Sequence, residues 1–191
     1  MIWFTSDTHF GHKNIIKYCN RPFENVEEMD QTIIKNWNSV VKDNDLVYHL
    51  GDFMSWAGNS STIERRYRQY RHALKGKIFL IEGNHDYKIG SPFSYALEGK
   101  CPLMTLRYQG RKIILCHYAM KVWDASHFDS WHLFGHSHGT LDAVGKSWDV
   151  GVDSNEFTPI SFNDLGAIMN NQCHNENWVE RLPGYKNVKS N

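Results

Sequence analysis

At 191 residues, with 41% hydrophobic and 14% aromatic residues, the chain has the size and composition of one globular domain, 1–191, and is short for two. Its 21 Lys and Arg balance its 21 Asp and Glu, so net charge offers no support for a nucleic-acid or anionic-membrane partner. No apolar run is long enough for a membrane span or a signal peptide, and Cys19, Cys101, Cys116 and Cys173 form no C-x-x-C pair. A cytoplasmic protein with free thiols is expected, neither a zinc ribbon nor a thioredoxin-like redox protein.

The chain opens with a short strand, Ile2 to Thr5, and a polar loop from Asp7 to His12. Met29, Ile33, Ile34, Trp37, Val40 and Val41 recur at helical spacing, with Asn25 and Glu28 as a capping pair. A strand from Leu46 to Leu50 ends in Gly51-Asp52. The next helix is expected from about Thr62 to Leu74, opened by Ser61 with Glu64 three residues on and closed by Gly76. Ile78 to Ile81 reads as a third strand, ending in Gly83-Asn84-His85-Asp86.

The second half reads mainly as β, with Met104 to Tyr108 and Lys112 to Cys116 joined across Gln109-Gly110 as a hairpin that runs into His117. His132 to Phe134 leads into Gly135-His136-Ser137-His138-Gly139, and Ser147 to Val152 reads as a further strand. The polar, aperiodic stretch from about residue 175 is expected to be a flexible tail. Helices alternating with strands, then hairpins, predict an α/β layered domain of two packed sheets with helices outside. In such sheets ligands collect beyond the carboxyl ends of the strands, where every polar cluster named here lies.

Five blocks carry the chemistry: Asp7-x-His9, Gly51-Asp52, Gly83-Asn84-His85-Asp86, His117 and Gly135-His136-x-His138. Imidazole, carboxylate and amide donors without thiolate suit Mn, Fe, Zn or Ni. Of the 11 histidines, His49, His72, His127, His132 and His174 fall outside the blocks and are expected to be structural. His12 and Arg21 are candidate substrate contacts, Arg21 as a bidentate phosphate donor. Arg65, Arg66, Arg68, Arg71 and Lys75 make one helix basic, for which a solvated face is the simplest reading. The aromatic segments Phe53 to Trp56 and Tyr118 to Trp131 read equally as a lid or as core.

In order and composition the blocks resemble the calcineurin-like metallophosphoesterase superfamily, in particular its small prokaryotic or phage-type members. The resemblance spans residues 7 to 138. It implies a four-layer α/β/β/α sandwich of two mixed sheets flanked by helices, and two divalent transition metal ions. Asp7, His9, Asp52 and His138 would hold one ion, and Asp52, Asn84, His117 and His136 the other, with Asp52 as the bridge. Ions about 3.5–4 Å apart can share a water, and in-line attack by the resulting hydroxide on a phosphoester follows. His85 would face the substrate as a catalytic residue beside the bridging Asp52, with Asp86 as a group to orient it.

Gly51-Asp52 lacks the Asp-Arg extension of the superfamily's phosphoprotein phosphatases, since Phe53-Met54-Ser55 follows. That absence argues against a Ser/Thr protein phosphatase. The resemblance to the small prokaryotic or phage-type members, many of which hydrolyse phosphodiesters, implies a phosphodiesterase acting on a small-molecule or nucleotide phosphoester, with manganese among the candidate metals; phosphomonoesterase is the alternative. Two readings from other classes remain: a serine hydrolase using Ser137 in a G-x-S-x-G elbow, which needs a helix after the turn, and a non-catalytic metal-binding scaffold.

Overall fold

The computed structural model describes residues 1–86 and 97–180. Side chains alternate along each of the first strands, and this alternation sorts the interior into two layers. In β1 (Ile2–Thr5), β2 (Leu46–His49) and β3 (Lys77–Ile81), residues Trp3, Val47, Ile78 and Leu80 face one way. There they meet the apolar stripes of α2 (Val26–Val40) and α3 (Ser60–Ala73), including Ile33, Trp37, Ile63 and Tyr67. Phe4, Tyr48 and Ile81 face the other way, into a second cluster with Ile113, Leu115 and Leu133. That period of two is what a strand buried on both faces requires.

The second cluster fills the space between two sheets. The first has the order β4-β3-β2-β1-β9, with β4 (Gly99–Cys101) parallel to β3 and β9 (Ile160–Ser161) antiparallel to β1. The second has the order β5-β6-β7-β8, formed by β5 (Leu103–Tyr108), β6 (Arg111–Cys116), β7 (Trp131–Phe134) and β8 (Ser147–Asp149). The β5-β6 hairpin turns at Gln109-Gly110, both with positive φ, as a two-residue hairpin loop requires. β6, β7 and β8 are parallel, so the molecule is a sandwich of two mixed sheets with helices.

The expected elements are present, with instructive differences at their ends. Asn25 caps α2 by accepting from the Glu28 amide, while Glu28 returns to the amide of Glu24. The cap of α3 is Asn59, whose side chain accepts from the Thr62 amide at 3.0 Å; Ser61, the expected cap, donates to Asn59. Two neighbouring residues could cap, and the amide carbonyl one turn ahead captured the free N–H. A short α1 (Ile15–Tyr18) and α4 (Phe162–Asn171) were not anticipated. In α4, Phe162, Leu165 and Met169 reach the inter-sheet cluster, and Ser161 caps the helix through the Asp164 amide.

The start of the expected tail is fastened. Asn175 is buried, donates to the Ser126 carbonyl at 2.6 Å and accepts from the Lys146 amide. Residues 181–191 of that tail lie outside the described residues. No helix among the described residues is long and apolar enough to cross a membrane.

Candidate active site

Five strands release their loops at one edge of the sandwich. Asp7 follows β1, Asp52 follows β2, Asn84 follows β3, His117 follows β6 directly, and His136 and His138 follow β7. The motif glycines let these loops touch. A Cβ on Gly83 would lie 2.4 Å from Asp52 Oδ1, and one on Gly135 would lie 2.2 Å from Ser6 Oγ and 2.4 Å from Asp7 Oδ2. A side chain at Gly83 would push apart the loops after β2 and β3, and one at Gly135 would push apart the loops after β1 and β7, which come from different sheets. Asp7, His9, Asp52, His136 and His138 all have positive φ, so the side chains that converge are held on strained backbone.

The donors gather into two groups. Ligand atoms of Asp7, His9 and His138 lie within 4.8 Å of one another, as do those of Asp52, His117 and His136. Between the groups stands Asp52, whose Oδ2 is 3.5 Å from His9 Nε2 and 3.6 Å from His117 Nε2. Asn84 Oδ1 is 3.1 Å from His117 Nε2.

Several observations fit this arrangement to divalent cations. Asp7 Oδ1 and His9 Nε2 are buried without hydrogen-bond partners. Burial pushes the Asp7 carboxyl up to about 6, and burial, with Arg21 and His138 nearby, holds His9 well below the usual imidazole range. His9 is therefore neutral, with a free lone pair. His117 donates Nδ1–H to the Leu50 carbonyl at 2.7 Å, which turns Nε2 towards the oxygens of Asp52 and Asn84. Lone pairs facing one another in a buried site need a cation, or a proton, between them.

Groups behind the donors aim them. Asp7 Oδ2 accepts from Ser6 Oγ and the His136 amide. His138 Nδ1 bonds Asp153 Oδ2 at 2.7 Å. Against burial, which pushes it down, Asp153, Cys19 and Asp7 push the His138 imidazole up to about 10. Asp153 was missed by sequence reasoning, although it follows a strand and a glycine in Gly151-Val152-Asp153, the pattern that marked Asp52.

Other candidates are placed differently from expectation. Arg21 is only 4% exposed, and it donates to both carboxylate oxygens of Asp153 and to the carbonyls of Asp7 and Thr8. Its guanidinium is fully engaged beneath the site and is not directed at a substrate. Asp86 does not orient His85; it accepts from the amides of Asp52, Phe53 and Gly83, stapling two motif loops together. His12 and His85 do line the open cleft, of about 780 Å³, together with Asp52, Asn84, His136 and His138. His85 donates its amide to Asp52 Oδ1 and leaves its ring exposed, with Nε2 3.9 Å from Asp52 Oδ2.

Ser137 donates to Asp149 at 2.6 Å and no helix follows it, so the nucleophile-elbow reading fails on both counts. Phe53, Met54 and Trp56 are buried among core residues, whereas Tyr118 is exposed, with its ring 5.0 Å from those of His117 and His136. His49 and His132 are buried in hydrogen bonds to Thr8, and to the Ile114 carbonyl and Met120 amide, as structural histidines. The basic helix spends Arg68 on Glu64 and Arg71 on the carbonyls of Leu74 and Gly76.

An uncharacterised protein of Methanocaldococcus jannaschii is 40% identical over 167 residues, covering 84% of this chain and 86% of that protein. The gene 66 protein of Mycobacterium phage L5 is 40% identical over 90 residues, 44% of this chain and 39% of the phage protein. A solved structure of a protein of unknown function from Aquifex aeolicus, 24% identical, shares the fold at a TM-score of 0.67, covering 88% of this chain and 98% of that one. The profile of the calcineurin-like phosphoesterases matches residues 1–181, and the chain belongs to that family.

Proposed function

We propose that the protein is a phosphodiesterase that works with two divalent metal ions, one held by Asp7, His9, Asp52 and His138 and the other by Asp52, Asn84, His117 and His136. The observation that carries this reading is the position of Asp52 Oδ2, within 3.6 Å of a histidine nitrogen from each donor group. Bound ions would neutralise the phosphoryl oxygens and bring the pKa of a water towards neutrality.

The chain's own groups have separable tasks. Asp52 supplies one carboxylate to both groups, and its second oxygen accepts the His85 amide, fixing the turn that presents the His85 ring to the cleft. From there His85 can give a proton to the departing ester oxygen. Asp153 and Arg21 fix the rotamer of His138. Among the described residues lining the cleft there is no Lys or Arg. A diester monoanion asks less neutralisation of its binding site than a monoester dianion, and this favours the diester.

The test starts from chelated protein reloaded with Mn or Ni and assayed on bis-nitrophenyl phosphate and nitrophenyl phosphate. Activity should return with metal and favour the diester in kcat/KM. Preference for the monoester would replace the phosphodiesterase by a phosphatase. Absence of turnover with every metal would leave a scaffold.

A further inference from the structure

The cleft has a second lobe. His9, His12 and His85 form a ridge, with ring centroids 5.5 Å, 5.6 Å and 6.4 Å apart, and cavities open on both sides of it. One is the cleft of about 780 Å³; the other, of about 250 Å³, is walled by Met54, Ser55, Trp56 and Ala57. The larger lies within the usual size range of small-molecule sites and the smaller just below it.

The two lobes differ in chemistry and in freedom to adapt. The wall of the small lobe is tethered: Met54 bridges to Phe10, the Ser55 amide donates to the Phe10 carbonyl at 2.8 Å, and Arg66 donates to the Ala57 carbonyl. It is preformed and cannot widen cheaply. The large lobe is bounded by α1, where Ile15 is buried and Tyr18 is 73% exposed, its ring edge-on to His12 at 6.4 Å. An exposed aromatic face beside a phosphate site is a stacking platform for a planar ring.

We propose, building on the phosphodiesterase reading, that the preferred substrate is an asymmetric diester. Its phosphate sits over the ridge, a compact alkyl arm occupies the lobe of Met54 to Ala57, and a planar aromatic arm such as a nucleoside lies against Tyr18. Water adds its oxygen to phosphorus, one ester P–O bond breaks, and the departing oxygen takes a proton, so the products are a monoester and an alcohol.

The test compares the methyl ester of thymidine monophosphate with the thymidine dinucleotide, whose second arm is too large for the small lobe. With Mn-loaded protein the methyl ester should be hydrolysed about 10-fold or more faster in kcat/KM, either ester bond being read by chromatography, if one stacked or displaced base sets the scale. Tyr18→Ala should raise KM for the methyl ester about 5- to 10-fold with kcat nearly unchanged, and Tyr18→Trp should restore it. Tyr18 is exposed, so an unchanged melting temperature will show that the variants fold. Equal turnover of the two diesters, or no effect of Tyr18→Ala, would overturn the lobe assignment while leaving the phosphodiesterase intact. If neither diester is hydrolysed, the phosphodiesterase reading falls. Calorimetric Kd values then decide the lobes: tighter binding of the methyl ester, weakened by Tyr18→Ala, supports them, and equal binding overturns them.

Discussion

At the scale of single residues, the site is organised by groups that never reach the cleft. Burial pushes the Asp153 carboxyl up, but hydrogen bonds from His138 and Arg21 outweigh it and hold the group below the usual carboxylate range. It is thus a buried anion aiming an imidazole. Asp153→Asn keeps the shape and removes the charge, so divalent-ion affinity should fall about 10- to 100-fold by calorimetry; unchanged affinity would remove its orienting role. Arg21→Leu removes both guanidinium bonds to that anion and leaves it His138 alone, and a loss of about 3 kcal/mol in denaturant unfolding of metal-free protein is expected. His85 makes a different demand, because its ring touches neither donor group closely. His85→Ala should keep its metal content and lose about 10²–10⁴-fold in kcat. If the ring protonates the leaving group, the loss should be smallest on nitrophenyl esters and largest on alkyl or ribose esters, and equal losses would leave only charge stabilisation.

At the scale of elements, the loops after β2 and β3 form one unit through Asp86. Its Oδ2 accepts from the amides of Asp52 and Gly83 at 2.7 Å and 2.8 Å, and its Oδ1 accepts from Phe53 at 3.1 Å. In Asp86→Asn an amide NH₂ must face at least one N–H, which leaves a buried donor unsatisfied. A loss of about 1–3 kcal/mol in unfolding free energy is expected, together with lower metal occupancy as Asp52 shifts; an unchanged denaturation midpoint would show that the staple is dispensable. The contrast with its sequence reading is informative. The block Gly83-Asn84-His85-Asp86 announces a tight loop, but which of its polar side chains turn outward depends on the partner loop, where Asp52 lies 34 residues before Asp86. Elements set by local signals, such as α2 with its Asn25 cap and the hairpin at Gln109-Gly110, were legible. β9 and α4 were not, because β9 is two residues long and exists only by pairing with β1, and α4 carries Gly166 and several Asn, weak helix formers that tertiary packing overrides.

At the scale of the whole molecule, five chain segments meet because the carboxyl ends of β1, β2, β3, β6 and β7 share one edge of the sandwich. The candidate donor blocks were legible in the sequence because each one follows an apolar run. It could not show Arg21 reaching Asp153 across 132 residues. The same packing buries His49 completely beneath the site, with Nε2 donating to Thr8 Oγ1 and Nδ1 without a partner. Burial, and to a lesser degree His117, lowers this imidazole from 6.5 to about 3. The folded protein therefore refuses a proton that the unfolded chain accepts. Above pH 6.5 neither state binds it and full stability is present; as pH falls from 6.5 towards 3, the unfolded state gains the proton first and stability declines. The slope attributable to this one group is at most about 1.4 kcal/mol per pH unit. His49→Gln keeps an N–H for Thr8 and cannot titrate, so the acid limb of unfolding free energy against pH should be shallower than in the parent protein. Metal-free protein should be used for both, because proton competition for a bound metal would add its own pH dependence to the stability. Parallel acid limbs for His49→Gln and the parent would place the acid sensitivity in other groups.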